Sequence, residues 1–367
     1  MVVSSRDDAY VPDPSPDFVA FRAIDPKFER DVLLVSHGIY NPNAALAYPT
    51  CTPQIIDAIH PDCCHDFWRR MGDVLSEAAP RGWEYDKDWA EVNEQNPSVV
   101  LNPDGTADTL YCRLYQDPPE VSRPNCYPHG PTLDVLARHR MVIYSHEDMD
   151  VPTSKGGINQ VLAAYLDIGG MIWLNDRVPF MLGTALGGGA RVIDFTNDPD
   201  FNGRFPTQYF DVEGLFFPAW RNGLKIKATE VESNDEFIGA YMESGVSGMP
   251  DTLHIDKERL DSSYVRIFRQ ALASQSPPKY INGIPGVPFV LRGSNSRTVY
   301  RFNSWRPELN NAQGAVVMSR FVGPNRSNPK FKTAWFGCPL YFLREDDAAN
   351  LIRGMVNWFL VQPLEVL

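Results

Sequence analysis

The alternation of strand and helix patterns between residues 131 and 186 constrains the fold more than any other feature of the sequence. The segment PTLDVLARH (131–139) predicts a helix with proline in its first turn, and RMVIYSHEDMD (140–150) predicts a buried strand that ends in an acidic loop. A second helix, closed by glycine, is predicted over 155–170, and a second strand over 171–177. Strand–helix–strand units of this length form right-handed crossovers, so the segment predicts a parallel sheet.

Further patterns extend this sheet in both directions along the chain. The apolar run DVLLV (31–35) predicts another buried strand, and an amphipathic helix is predicted over 65–79. The last helix is predicted over 345–361, with acidic residues in its first turn. Three more apolar segments predict strands before it: 297–303, 312–322 and 332–343. We therefore expect an α/β fold, a three-layer sandwich with a mostly parallel, flavodoxin-like sheet and a large insertion.

The sequence divides into an arm and a main domain. Residues 1–30 predict two short strands joined by a turn, and residues 31–367 form the α/β domain. Two parts of that domain lack clear periodicity: an irregular segment at 80–130, with one strand pattern at 109–116, and an insertion at 197–290.

Charge and hydropathy exclude two classes of partner. The formal net charge of −12 argues against nucleic-acid binding, which requires a basic face. No segment approaches the roughly 18 apolar residues of a membrane helix, so we expect no membrane insertion. The first residues also lack the apolar core of a signal peptide, which taken alone favours a cytoplasmic location.

Five of the six cysteines fall between residues 51 and 126. Disulfides that pin an irregular segment are one interpretation, and they would require an oxidising compartment. Buried free thiols are the other interpretation, and the sequence does not decide between them. Cys63, Cys64 and His65 match neither a zinc-module spacing nor a haem-attachment motif.

Four segments together resemble a known family: DVLLV, LARHRMVIYSHED, VLAAYLDIGGMIWLND and KTAWFGCPLYFLREDDAANLIRGMVNWF. Over residues 31–195 and 295–361 the chain resembles a divergent class I glutamine amidotransferase-like domain. The resemblance implies a flavodoxin-like fold of the kind that occurs in secreted or surface multidomain proteins. The arm at 1–30 resembles the last strands of the immunoglobulin-like module that often precedes such domains. The resemblance therefore implies an extracellular or cell-surface location.

The chain departs from the family where the chemistry would occur. The nucleophile turn would follow MIWL, where this chain has Asn175, Asp176 and Arg177, and no G-x-C-x-G motif occurs anywhere. Without a thiolate there is no covalent glutamyl intermediate. We therefore expect a non-catalytic module that acts as a binding or structural part of a larger protein. Its ligand is a protein, a small molecule or a carbohydrate.

The alternative is an enzyme of another class that uses polar residues at the strand ends. Carboxyl ends of parallel strands meet at one edge of a sheet, where ligands bind. At two predicted strand ends a serine precedes a histidine: Ser36 precedes His37, and Ser145 precedes His146. The candidate catalytic residues are His37, His146, Glu147, Asp148 and Asp176. His37, His146 and Asp148 can also bind a divalent metal, which would make the protein a metal-assisted hydrolase. The competing interpretation is that these residues only cap helices and satisfy loop amides.

Other motifs point to no cofactor besides such a metal. Gly187–Gly189 lacks the spacing of a phosphate-binding loop, and no G-x-S-x-G elbow supports a serine hydrolase. Cys338 lies in a buried pattern, which favours packing. The residues Phe216, Phe217 and Trp220 form either a contact surface for carbohydrate or protein, or the core of the insertion. Asn325-Arg326-Ser327 matches a glycosylation acceptor.

Overall fold

The structure is a computed structural model that describes residues 3–5, 21–23, 25–37, 64–92, 125–127, 130–146, 158–175, 192–196, 201–216, 237–258, 283–284, 287–305, 307, 313–323 and 331–363. Its strands are β1 Val3–Ser5, β2 Phe21–Ala23, β3 Arg30–His37, β4 Trp89–Val92, β5 Asn125–Tyr127, β6 His139–His146, β7 Met171–Asn175, β8 Val192–Asp194, β9 Val212–Phe216, β10 Phe237–Met242, β11 Thr252–His254, β12 Phe289–Arg292, β13 Arg297–Ser304, β14 Val316–Val322 and β15 Lys332–Phe336. Its helices are α1 Cys64–Ala78, α2 Tyr85–Asp88, α3 Leu133–Leu136, α4 Ile158–Asp167, α5 Phe201–Phe210 and α6 Glu345–Leu360, with a short 3₁₀ helix at Leu340–Phe342.

A ten-stranded mixed sheet forms the centre of the fold, in the order β11-β10-β13-β14-β15-β7-β6-β3-β4-β5. The strands from β15 to β5 are parallel to one another, as the alternating pattern predicts. The strands β14, β13, β10 and β11 continue the sheet with antiparallel pairing. The expected α/β class is confirmed, and the sheet carries a larger antiparallel part than the sequence indicates.

The central strands are apolar throughout because both of their faces are buried. Leu34, Ile143 and Trp173 belong to one apolar cluster, which also contains residues of α1 and α6. Their neighbours along the chain, Val35 and Tyr144 among them, belong to a second cluster, which includes residues of α3, α4 and α5. Burial of each large apolar side chain contributes about 1.5–3 kcal/mol before entropy is counted. The two clusters therefore hold the central strands from both sides.

Helix α4 shows how the sequence ends an element and begins the next strand. Gly169 has φ +98°, in the left-handed region that favours glycine, and the Gly170 amide donates to the Tyr165 carbonyl over 2.9 Å. The predicted glycine closure of this helix is confirmed. The chain then enters β7 in register with β6.

The order of the parallel strands brings particular strand ends together. Counted along the chain from β3, the parallel strands lie in the order 3-2-1-4-5-6, so the order reverses between β3 and β6. In open α/β sheets, ligands bind outside the carboxyl ends of the strands at such a reversal. A ligand site is therefore expected at the carboxyl ends of β3, β6 and β7.

Two strands of the segment 80–130, β4 and β5, were not expected from the sequence. The segment predicted to be irregular contains α2 and β4, and β4 pairs with β3. β4 has four residues, too few to establish a period, and aromatic contacts such as the one between Tyr85 and Trp89 hold its start. The strand predicted over 109–116 lies outside the described residues.

Smaller sheets accompany the main one. Strand β9 pairs with β8 and β12 in an antiparallel sheet, within and beside the region predicted as an insertion. In the predicted arm, Val3–Ser5 pairs antiparallel with Phe21–Ala23. Among the described residues, none of the helices has the length and apolar character needed to cross a bilayer.

Candidate functional site

The candidate site is a row of residues at the carboxyl ends of the parallel strands. Ser36 of β3 is the register partner of Ser145 of β6, and Ser145 is the partner of Asn175 of β7. The row continues to Phe336 of β15 on one side and to the Glu91 position of β4 on the other. Adjacent strands lie about 4.8 Å apart, so each backbone in the row is one strand spacing from the next. We call Ser36, Ser145 and Asn175 the strand-end row.

The strand-end row lies on the sheet face that α1 and α6 cover. Side chains alternate between the two faces along a strand, and residues in register on parallel neighbours share a face. Phe336, which ends the row, belongs to the apolar cluster on that face, as do the residues two positions earlier in β6 and β7. Ser36 is 7% exposed, and Ser145 and Asn175 are 0% exposed. The row is therefore a polar strip enclosed by apolar packing.

The carboxamide of Asn175 is unusual within this strip. Neither Nδ2 nor Oδ1 has a hydrogen-bond partner in the described part of the protein. A buried amide without partners costs about 1–3 kcal/mol, so buried polar groups are nearly always paired. The carboxamide is therefore a buried polar group whose hydrogen bonds the described residues do not complete. The sequence marked Asn175 only as the residue that replaces a nucleophile, since no local pattern indicates whether a buried amide is paired.

The structure describes part of the candidate set named from the sequence. His37 and His146 are register partners at the last positions of β3 and β6, so their backbones lie on adjacent strands. Their side chains lie outside the described residues, as do Glu147, Asp148 and Asp176. Within the described residues, no three or more His, Cys, Asp and Glu side chains come together as a metal site would require. The acid–base and metal roles of the five candidates stay predictions.

The remaining sequence motifs fall in different places. Cys338 is a fully buried thiol in the apolar cluster, and its Sγ lies 3.5 Å from the Pro339 carbonyl oxygen. Phe216 stacks on Phe289 with ring centroids 4.5 Å apart, between the paired strands β9 and β12. Other motif residues lie outside the described part of the chain: Gly187–Gly189, Phe217, Trp220 and Asn325-Arg326-Ser327.

A buried ionic cluster lies at the opposite, amino-terminal edge of the same strands. Asp88, at the end of α2, accepts hydrogen bonds from Arg30 at the start of β3 and contacts His139 Nε2 at the start of β6 over 3.1 Å. His139 Nδ1 lies 3.1 Å from the Val135 carbonyl oxygen, so both ring nitrogens face oxygen acceptors. Asp88 and His139 are almost fully buried. This cluster ties three elements together where the parallel sheet begins, and the sequence pattern did not indicate it.

The electrostatics of this cluster favour the carboxylate. Burial desolvates Asp88 and by itself raises the pKa of its carboxyl group. Hydrogen bonds from His139, Arg30 and the Glu84 amide outweigh that effect and hold the pKa below its ordinary value. The same contacts, chiefly the bond to Asp88, raise the pKa of Arg30. The cluster is therefore a structural ion group at the edge remote from the strand-end row.

Comparison with known proteins gives no relative from which a role for the strand-end row can be inferred. No family model matches the sequence, and no curated protein matches it. A solved structure described as "mmIFT52 N-terminal domain" is 11% identical, with 75% of this chain and 99% of that chain covered and a TM-score of 0.35. A likeness at this TM-score carries no argument about the fold or the function of this chain.

Proposed function

We propose that this chain is a non-catalytic amidotransferase-like module that serves as a binding or structural part of a larger extracellular or cell-surface protein. The observation that carries the proposal is the residue at the carboxyl end of β7. Asn175 stands where the resembled enzymes begin their nucleophile turn, and its carboxamide cannot supply a thiolate. The position is buried and polar but chemically unreactive.

The strand order supports the flavodoxin-like part of this proposal. If the three-residue β5 is left aside, the parallel strands read 2-1-3-4-5, the order typical of flavodoxin-like sheets. Helix residues in both apolar clusters support a three-layer sandwich. The proposed location rests on the resemblance to domains of secreted and surface proteins.

The other groups in the row do not replace the missing nucleophile. A serine hydroxyl is a weak nucleophile unless an adjacent base removes its proton. Ser36 and Ser145 have each other and Asn175 as register neighbours, and none of these groups is a base. The other register partner of Ser36 is Glu91 of β4, whose side chain lies outside the described residues. Cys338 is fully buried in the apolar cluster, where a thiol packs against its neighbours and is closed to a substrate.

An assay with L-glutamine tests the proposal. The full chain is incubated with L-glutamine, and released ammonia is measured by a coupled dehydrogenase reaction. We expect no release above buffer, either for the natural chain or for Asn175→Leu. Ammonia release by the natural chain that is lost in a single cysteine variant would contradict the proposal.

The register of His37 and His146 favours one second candidate, a metal-assisted hydrolase. Two histidines on adjacent strand ends are a common start for a metal site, with Asp148 as the third predicted ligand. Calorimetric titration with Zn²⁺ and Mn²⁺ separates the two functions. Saturable binding that is lost in both His37→Ala and His146→Ala would favour the hydrolase, and absence of binding would leave the non-catalytic module.

A further inference from the structure

The segment that leads from the arm into β3, residues 25–30, is tied to the α/β domain by its backbone. The amides of Lys27 and Phe28 both donate to the carbonyl of Ala137, which follows α3, over 3.1 and 3.0 Å. The Arg30 amide donates to the carbonyl of the next residue after Ala137, over 2.9 Å. The chain is therefore fixed to the domain before β3 begins. We call residues 25–30 the strap.

Two further elements hold the strap through side chains. Arg81, shortly after α1, donates from Nη1 to the Phe28 carbonyl over 2.5 Å. The Phe28 ring lies edge-on to the ring of Tyr165 in α4, with centroids 6.4 Å apart, and packs against the second apolar cluster. Tyr165 is itself fully buried and donates to the His139 carbonyl over 2.8 Å. The contact surface for Phe28 is therefore a fixed part of the domain.

The backbone of the strap has little freedom of its own. Phe28 has φ +44°, in the left-handed region that bulky residues rarely adopt. Such a conformation persists where the surrounding contacts determine it. Pro26 fixes its own φ and disfavours the helical region for Asp25 before it. The strap therefore follows one defined course over the domain surface.

We propose that the strap is a rigid connector that fixes the direction in which the β1–β2 strand pair leaves the α/β domain. Strand β2 ends at Ala23, and Ile24 is the single residue between it and the strap. One residue spans at most about 3.6 Å, which is too short for a flexible linker. The strand pair and the domain therefore move as one body. The inference goes beyond the proposed function, because it concerns how the arm is joined and not the strand ends.

Backbone relaxation of the full, isotope-labelled chain tests the connector. Amide ¹⁵N relaxation gives order parameters and tumbling times for the strap, β2 and β3. We expect order parameters of about 0.85 in all three, where a flexible tether falls below about 0.6. The β2 amides should tumble at the same rate as those of β3. Phe28→Ala, which removes the ring contact with Tyr165, should lower the order parameters of the strap and β2 and leave those of β3 unchanged.

Trypsin cleavage after Lys27 gives a second readout, because the protease needs this part of the chain to leave the domain surface. Arg81→Met removes the donor to the Phe28 carbonyl and leaves the cleaved sequence intact. It should speed cleavage after Lys27 about threefold to tenfold, the effect of one hydrogen bond. Arg138→Met is the matched control, since the bond from the strap to Arg138 uses its backbone carbonyl, which methionine retains. This variant should be cleaved at the rate of the natural chain.

Two results would overturn the proposal. The first is a set of order parameters below about 0.6 for the strap and β2 in the natural chain. The second is an equal rate of cleavage after Lys27 in Arg81→Met and Arg138→Met. Neither result depends on the chemistry of the strand ends. Failure of the connector is therefore distinct from failure of the non-catalytic function.

Discussion

At the scale of single residues, the unpaired carboxamide of Asn175 lowers the stability of the folded chain. Leucine has nearly the same shape and needs no hydrogen bonds, so Asn175→Leu removes an unpaired buried amide from the protein. We predict that this variant raises the free energy of unfolding by about 1–3 kcal/mol, measured by denaturant titration without added ligand. Loss of stability in Asn175→Leu would show that the carboxamide already has a structural partner.

Asp88 is the opposite case, a buried charge with every partner in place. Replacing it by asparagine removes the charge that balances Arg30 and faces His139. We predict that Asp88→Asn lowers the free energy of unfolding by about 1.5–3 kcal/mol, because the hydrogen bonds from the part-buried Arg30 lose their charged acceptor. Glu77→Gln is the matched control, since the Glu77–Arg353 pair is exposed and lies outside the cluster, so its loss should have little effect. Equal effects of the two substitutions would refute the assigned role of the cluster.

The lowered pKa of Asp88 also gives stability a pH dependence of known sign. The folded carboxyl group binds its proton at lower pH than the unfolded one, so its contribution is complete above the ordinary value of about 3.9. The contribution is lost as the pH falls through the folded pKa. We predict that the difference in unfolding free energy between the natural chain and Asp88→Asn shrinks below about pH 4. A difference that stays constant down to pH 2 would contradict this linkage.

At the scale of elements, the end of α6 depends on a lysine from β15. Lys332 is 1% exposed, and its Nζ donates to the carbonyls of Trp358, Phe359 and Gln362. The carbonyls of Trp358 and Phe359 belong to the last turn of α6, where the helix dipole favours a cation, and the Gln362 carbonyl follows just after the helix. Nζ also lies 5.1 Å from the Trp358 ring centroid. The lysine therefore joins the sheet to the helix that closes one apolar cluster.

We predict that Lys332→Met lowers the free energy of unfolding by about 1.5–3 kcal/mol, the range for hydrogen bonds to charged groups. The loss would follow from buried carbonyls left without a donor at the helix end. Arg353→Met, which removes an exposed pair with Glu77, should change stability by no more than about 0.5 kcal/mol. Thermal unfolding followed by circular dichroism compares the two variants, and a neutral Lys332→Met would argue against the capping role.

Elements with strong local patterns could be predicted, and elements that depend on distant partners could not. The helices α1, α4 and α6 and the strands β3, β6 and β7 follow their apolar periods closely. β5 has three residues and is defined only by its pairing with β4. The pairing of β10 and β11 with the far edge of the sheet is set by tertiary contacts, which no local window contains.

At the scale of the whole molecule, the sheet has two edges with different roles. Its amino-terminal edge holds the Arg30–Asp88–His139 cluster, a stabilising group of paired charges. Its carboxyl edge holds the strand-end row, where a polar residue is buried without a partner among the described residues. Parallel strands alone predict that the carboxyl ends meet. The unpaired state of Asn175 depends on everything packed around it, so it could only be found in three dimensions.

We propose that the carboxyl edge of the sheet carries no working nucleophile. The most direct measurement is the intact mass of the native chain after incubation with a diazoketone analogue of glutamine, which alkylates the active cysteine of amidotransferases. We predict an unchanged mass, with the cysteines still open to alkylation after unfolding and reduction. One stoichiometric adduct on a cysteine of the native chain would contradict it.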